Sequence, residues 1–216
     1  MKRHILTLLT ICILATPLYA NLTLSGQTGL IEMPTAEILQ YKENNMAYDI
    51  GKIGTTDISR YKVNLGAFKN WEFGFVGGAV PTEGVFINAK YSIMADNERF
   101  PLMLAVGFSN LTSRDLTTLY LVASKAFQNG IHAHLGFEAE FTSHEINPVI
   151  MAGLEYWVNP QFSVLGDVIG AKTQFRTNLG VRYAMNPQFS LRASWLDLTS
   201  GTRSGYTLGI SFGQFL

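Results

Sequence analysis

The sequence predicts an all-β chain: a single antiparallel transmembrane up-and-down β-barrel of about twelve strands, preceded by a non-strand, plug-like segment. Three observations carry that prediction. In residues 131–141, Ile131, Ala133, Leu135, Phe137, Ala139 and Phe141 are apolar, and His132, His134, Gly136, Glu138 and Glu140 stand between them. Strand side chains alternate between two faces, so one face is oily and the other charged. A 3.6-residue period would instead scatter the histidines and glutamates around a cylinder. The length also fits, because a strand tilted about 45° crosses a bilayer in roughly 9–11 residues. Second, only 15% of the chain is charged while Gly and aromatics are plentiful, against about 25% charged in a typical soluble domain. Third, turn-forming residues recur between the alternating stretches, and Asn-Pro-Gln-Phe-Ser occurs twice, starting at Asn159 and Asn186. That spacing is one hairpin of transmembrane strands.

Residues 1–20 read as a signal peptide. Lys2, Arg3 and His4 give a basic start, residues 5–15 an apolar core, and Pro17-Leu18-Tyr19-Ala20 a cleavage site. The sole cysteine, Cys12, leaves with it. The rest then has no thiol, which suits an oxidising compartment and excludes thiol catalysis and disulfides. Fourteen basic and sixteen acidic residues remain, so no basic excess points to nucleic acid. No later apolar run reaches the eighteen residues of a transmembrane helix.

Residues 21–43 show no sustained alternation. Pro34 blocks a central strand, and Pro-Thr-Ala-Glu predicts a short helical turn from Thr35. Long structureless segments in compact domains tend to be functional or disordered. This one is expected to tuck into or under the barrel mouth; the alternative is a flexible periplasmic leader.

Residues 44–216 form the barrel. Stretches 61–67, 71–79, 85–93, 175–183 and 189–195 keep strict phase, whereas 46–53, 100–109, 147–157 and 160–169 are noisier and 116–127 has no clear phase. Tight connections fall at Lys69-Asn70, Gln128-Asn129-Gly130 and the two Asn-Pro-Gln sites. The others fall at 54–58, 81–84, 111–115, 142–145, 170–174 and 198–205. An even strand count puts both barrel ends at the periplasm, with the Asn-Pro-Gln turns beside them. The outward loops are too short for a large receptor surface. Trp71, Tyr91, Trp157, Phe162, Tyr183 and Phe189 lie where a periplasmic aromatic girdle belongs. The last strand runs Tyr206, Leu208, Ile210, Phe212, Gln214, Leu216 in one phase. It partly matches the carboxy-terminal insertion signal of outer-membrane barrels, with Phe215 one place early.

The alternation assigns Asp49, Arg60, Lys62, Glu72, Lys90, His132, His134, Glu138, Glu140, Glu155, Asp167, Arg176, Arg182 and Arg192 to the lumen. Two interiors fit them. One is packed and ion-paired with no passage; the other is a narrow polar pore partly filled by residues 21–43. About twelve strands enclose more space than the eight that side chains alone fill. His132 and His134 share a face with Glu138 and Glu140, but no third ligand is identifiable, so no metal is expected. Ser143-His144-Glu145 lies in a loop that offers neither an orienting partner nor a dry site. No Gly-rich phosphate loop precedes a helix. No catalytic residue and no cofactor are expected.

Gly26-Gln27-Thr28-Gly29-Leu30-Ile31-Glu32-Met33-Pro34-Thr35-Ala36-Glu37-Ile38 resembles the opening of the YjbH family of outer-membrane barrels. Members of that family begin their mature chains with Gly-x-x-Gly-Leu-Ile/Leu-x-x-Pro-Thr-Ala. The resemblance implies a bacterial outer-membrane barrel associated with exopolysaccharide and capsule production, here a short, single-barrel member. The expected role is assisting polysaccharide export or the passage of small polar solutes. Its surroundings would be outer-membrane lipid, with polysaccharide or periplasmic export proteins as partners. The alternatives are a non-conducting structural or partner-binding barrel and, less well supported, a rim lipid hydrolase.

Overall fold

A computed structural model describes residues 21–79, 84–97, 100–171, 174–199 and 204–215. Residues 1–20 with Cys12, parts of three outward connections (80–83, 172–173 and 200–203), residues 98–99 between β4 and β5, and Leu216 lie outside the described residues. Twelve strands follow in chain order: β1 (Glu43–Ile53), β2 (Thr56–Phe68), β3 (Trp71–Ala79), β4 (Phe86–Met94), β5 (Met103–Ser109) and β6 (Leu116–Ala126), then β7 (Ile131–Thr142), β8 (Ile146–Asn159), β9 (Phe162–Ala171), β10 (Gln174–Ala184), β11 (Phe189–Leu196) and β12 (Gly205–Phe215). Each pairs antiparallel with its sequence neighbours, and β1 meets β12 from Glu43↔Phe215 to Ile53↔Gly205. The barrel is closed. Closure satisfies every strand's backbone, the condition for crossing lipid with strands.

The two-residue period decides which way each face points. Leu135, Ile150 and Leu154 are 67%, 62% and 57% exposed on the outer face, while inward neighbours such as His134 and Met151 are buried. Large apolar side chains stand bare on strand after strand, an arrangement water would punish and acyl chains favour. Trp71 and Tyr91 (ring centroids 4.9 Å apart) and Phe189 and Phe212 (4.8 Å) pair across strands near the end where β1 begins and β12 finishes. On outer-membrane topology that end is periplasmic.

The repeated pentapeptide is one turn used twice. Asn159 Oδ1 accepts from the amides of Gln161 and Phe162, both at 2.9 Å. Asn186 Oδ1 accepts from Gln188 and Phe189 at 2.8 and 3.0 Å. Asparagine side chains fold back on their own turns in this way, leaving Pro to fix the next φ. The Lys69-Asn70 turn instead uses a left-handed Asn70, φ 66°.

Three of the strands with blurred alternation, β6, β8 and β9, have a common cause. Tyr120 and Val122 on β6, Val149 and Met151 on β8, and Leu165 and Ile169 on β9 all face inward and are buried. Their outward neighbours Leu121, Ile150 and Val168 are apolar too. Both faces are oily because the inner one meets a second layer, residues 21–42. Met33 and Ala36 cluster with Ala105, Tyr120, Val122 and Met151. Leu24, Leu30 and Ile31 cluster with Leu165 and Leu196.

Two sequence expectations are corrected. Residues 35–38 make no helical turn, because wall side chains take up their backbone groups in extended form. Trp157 does not join the girdle. It turns into the lumen, where the Arg182 guanidinium lies 5.8 Å from its ring.

Candidate functional site

Residues 21–42 hold little regular structure, only the isolated bridges Leu22↔Thr28 and Gly29↔Pro34 and a few turn bonds. Yet Leu22, Leu30, Ile31 and Met33 are at most 1% exposed. A buried, irregular backbone must find partners for its N–H and C=O groups elsewhere. The lumen wall supplies them, anions to the amides and cations to the carbonyls.

On the amide side, Asp167 Oδ2 accepts from the consecutive N–H groups of Ile31, Glu32 and Met33 at 3.0, 2.9 and 3.0 Å. Its Oδ1 accepts from Asn178 at 2.7 Å. Successive amides converging on one anion form a nest, here built by the plug around a wall carboxylate. Glu72 accepts from the Thr28 amide (3.0 Å), the Thr28 hydroxyl (2.5 Å), the Leu39 amide (3.0 Å) and Asn64 (2.7 Å). Ser124 Oγ accepts from the Ala36 amide at 2.8 Å and bonds His134 Nδ1 at 2.7 Å.

On the carbonyl side, Lys90 Nζ donates to Thr28 O, Thr35 O and Glu37 O at 2.9, 3.3 and 2.7 Å. Lys62 donates to Thr23 O (2.8 Å), Arg60 to Leu24 O (3.0 Å), and Arg192 to Leu22 O (2.5 Å) and Leu30 O (3.2 Å). The wall charges also pair with one another. Asp49 sits between Lys62 and Arg192, Glu72 lies 3.7 Å from Lys90, and Glu155 binds Arg182 at 2.8 Å. Breaking such a buried pair from one side leaves a bare charge, a cost of several kcal/mol.

The remaining lumen positions lie away from the plug's main contacts. Glu138 and Glu140 are partly exposed on the half of β7 farther from the chain ends, with Glu140 opposite Asn147. Arg176 is largely exposed and reaches Glu32 of the plug at 3.7 Å. His132 is partly buried opposite Glu155. Ser143 and His144 stand exposed on a hairpin tip. Among the described residues no group of three or more His, Cys, Asp or Glu is placed to hold a metal.

The Gly26 to Ala36 run meets the wall at nearly every residue. Gly26 has φ 94°, and a Cβ there would lie 2.0 Å from Val76 Cγ2. Gly29 pairs with Pro34, and a Cβ on it would lie 2.3 Å from Met33 O. Thr28 binds Glu72, Leu30 enters the Leu165 cluster, Thr35 O meets Lys90 and Ala36 N meets Ser124. Sequence reasoning passed over Asn64, Asn88, Asn178 and Ser124. The three asparagines stood on the inward phase of regular strands and were legible there. Ser124 sat in the strand without clear phase.

No protein-family model and no curated protein matches the chain. Solved structures do resemble it. A KdgM porin is 13% identical, with TM-score 0.63 over 80% of this chain and 99% of that one. A NanC porin is 14% identical, with TM-score 0.59 over 78% and 98%. The Omp33 outer-membrane protein of Acinetobacter baumannii is 9% identical, with TM-score 0.54 over 81% and 98%. The fold is that of a bacterial outer-membrane β-barrel. These barrels match it in strand architecture at identities that carry the fold alone.

Proposed function

We propose that this chain is a gated outer-membrane channel, a short YjbH-like barrel that assists exopolysaccharide or capsule export or the passage of small polar solutes. The observation that supports this most is the kind of filling. A twelve-strand lumen is too wide for its own side chains to close, and here a separate run of chain, joined to β1 only through Lys42, closes it. Most of its polar contacts join wall side chains to plug backbone, which another hydroxyl-rich chain can replace. The porin architecture of its structural neighbours supports solute passage, and the KdgM porin has been solved in complex with disordered oligogalacturonate, which favours a saccharide.

Planar-bilayer conductance of the whole chain and of a variant lacking residues 22–40 tests the proposal. The whole chain stays mostly closed and the shortened one opens. Silence from both overturns passage, and a permanently open whole chain overturns gating. A second reading, a sealed barrel that binds a periplasmic or surface partner, draws support from the apolar seating of Leu30, Ile31 and Met33. A stable crosslinked partner together with silence from both forms favours it.

A further inference from the structure

The wall charges bear on what the open lumen accepts. The twelve wall positions that carry full charges divide six basic to six acidic. Three of the acids already have basic partners on the wall itself. Asp49 lies between Lys62 and Arg192, Glu72 is beside Lys90, and Glu155 is on Arg182. These pairs do not involve the plug, so they stay when it leaves, and four of the six cations keep an acid beside them. A lumen that selects a polyanion needs an unpaired basic track, because each acidic sugar must exchange water for a free cation.

The other lumen features favour uncharged sugars. Tyr120 and Trp157 face inward, and amphipathic aromatic rings offer an apolar face with a polar edge. Asn64, Asn88 and Asn178 turn donors and acceptors inward. Tyr120 Oη, Thr118 Oγ1, Ser194 Oγ and Thr207 Oγ1 are buried on the inward face and meet no protein partner. Buried hydroxyls of this kind are capacity that a hydroxyl-rich ligand uses well.

Building on the channel reading, we infer that the unplugged lumen takes an uncharged glycan, reading its ring faces on Tyr120 and Trp157 and its hydroxyls on the inward asparagines and hydroxyl side chains. The test uses the full-length chain with Leu30→Ser, Ile31→Ser and Met33→Ser together, which loosens the plug and leaves every wall charge in place. In bilayers under a tenfold KCl gradient, the expected cation-to-anion permeability ratio lies within about twofold of unity. Maltohexaose blocks the current at a lower concentration than hexagalacturonate does. Strong anion selectivity, or block by hexagalacturonate at a tenfold lower concentration, overturns the inference.

Calorimetric titration of the same variant in detergent with each hexasaccharide reads the inference without conductance. Binding of maltohexaose that weakens at least fivefold on Tyr120→Leu or Trp157→Leu supports it. Binding of neither sugar, or preference for the acidic one, overturns it. Retained neutral binding in a silent barrel overturns the channel reading and leaves the glycan inference standing.

Discussion

Asp167→Ala tests the idea that wall charges hold the plug by its backbone. The carboxylate accepts three consecutive plug amides at 2.9–3.0 Å, and alanine leaves all three without an acceptor. Each orphaned buried donor costs about 1–3 kcal/mol, so even the low end gives about 3 kcal/mol against docking. That is about two powers of ten in the docking equilibrium. Asn178 keeps a partial acceptor in Glu32 at 3.2 Å, so the loss centres on residues 31–33. Hydrogen exchange of the detergent-solubilised protein, read by mass spectrometry on peptides covering 21–42, measures it. Protection in that segment falls about a hundredfold while the strand peptides keep theirs, and the heat-modifiable gel shift of the folded barrel persists. Unchanged protection at 31–33 refutes the reasoning. So does an equal fall across the strands, which would make Asp167 a prop of the barrel instead of the plug.

Other outcomes follow from single contacts. Gly26→Ala loosens the plug by about 1–3 kcal/mol, because it combines a left-handed φ with overlap on Val76. Adding Val76→Ala restores only part of plug protection, since the φ remains. Asn159→Ala and Asn186→Ala each lower unfolding stability in detergent by about 0.5–1.5 kcal/mol and by similar amounts, because they remove the same two turn bonds. A large difference between them contradicts the shared geometry. Glu32 lies on the plug, where burial pushes its carboxyl above the usual carboxylate range against the pull of Arg176. A carboxyl whose pKa rises on docking favours docking below its ordinary value near 4.5, and that contribution is lost as pH climbs through the raised value. Plug protection, corrected for intrinsic exchange, therefore increases on acidification from neutral pH towards that value. Glu32→Gln flattens the dependence, and a wild-type plug that loosens on acidification over the same range contradicts the assignment.

Architecture was written in the period of the sequence. Charged and small residues stand on one phase of 131–141 and apolar residues on the other, and β geometry turns that pattern into two faces without distant information. The Asn-Pro-Gln repeat marked hairpin ends for the same reason, since its bonds close within three residues. At β6, β8 and β9, three of the strands where the reading blurred, the local signal was absent. Tyr120, Val122, Met151 and Leu165 are apolar on the inward phase, so no alternation remained to give direction. Trp157 was misplaced because a tryptophan near a strand end fits a girdle and a lumen equally well. Its phase, two places from the inward Glu155 and opposite the buried Ser163, and the Arg182 guanidinium two strands over on the same wall decide for the lumen.

The sequence by itself therefore determined the staves, their inward charges and the turns, all properties of residues within a few places of one another. Only the tertiary structure decided what those charges hold. Asp167 meets Ile31 across 136 positions of chain, and Arg192 meets Leu22 across 170. The partner in each case is a backbone group that every residue carries, so the side-chain sequence leaves no mark of the pairing until the barrel closes around the segment.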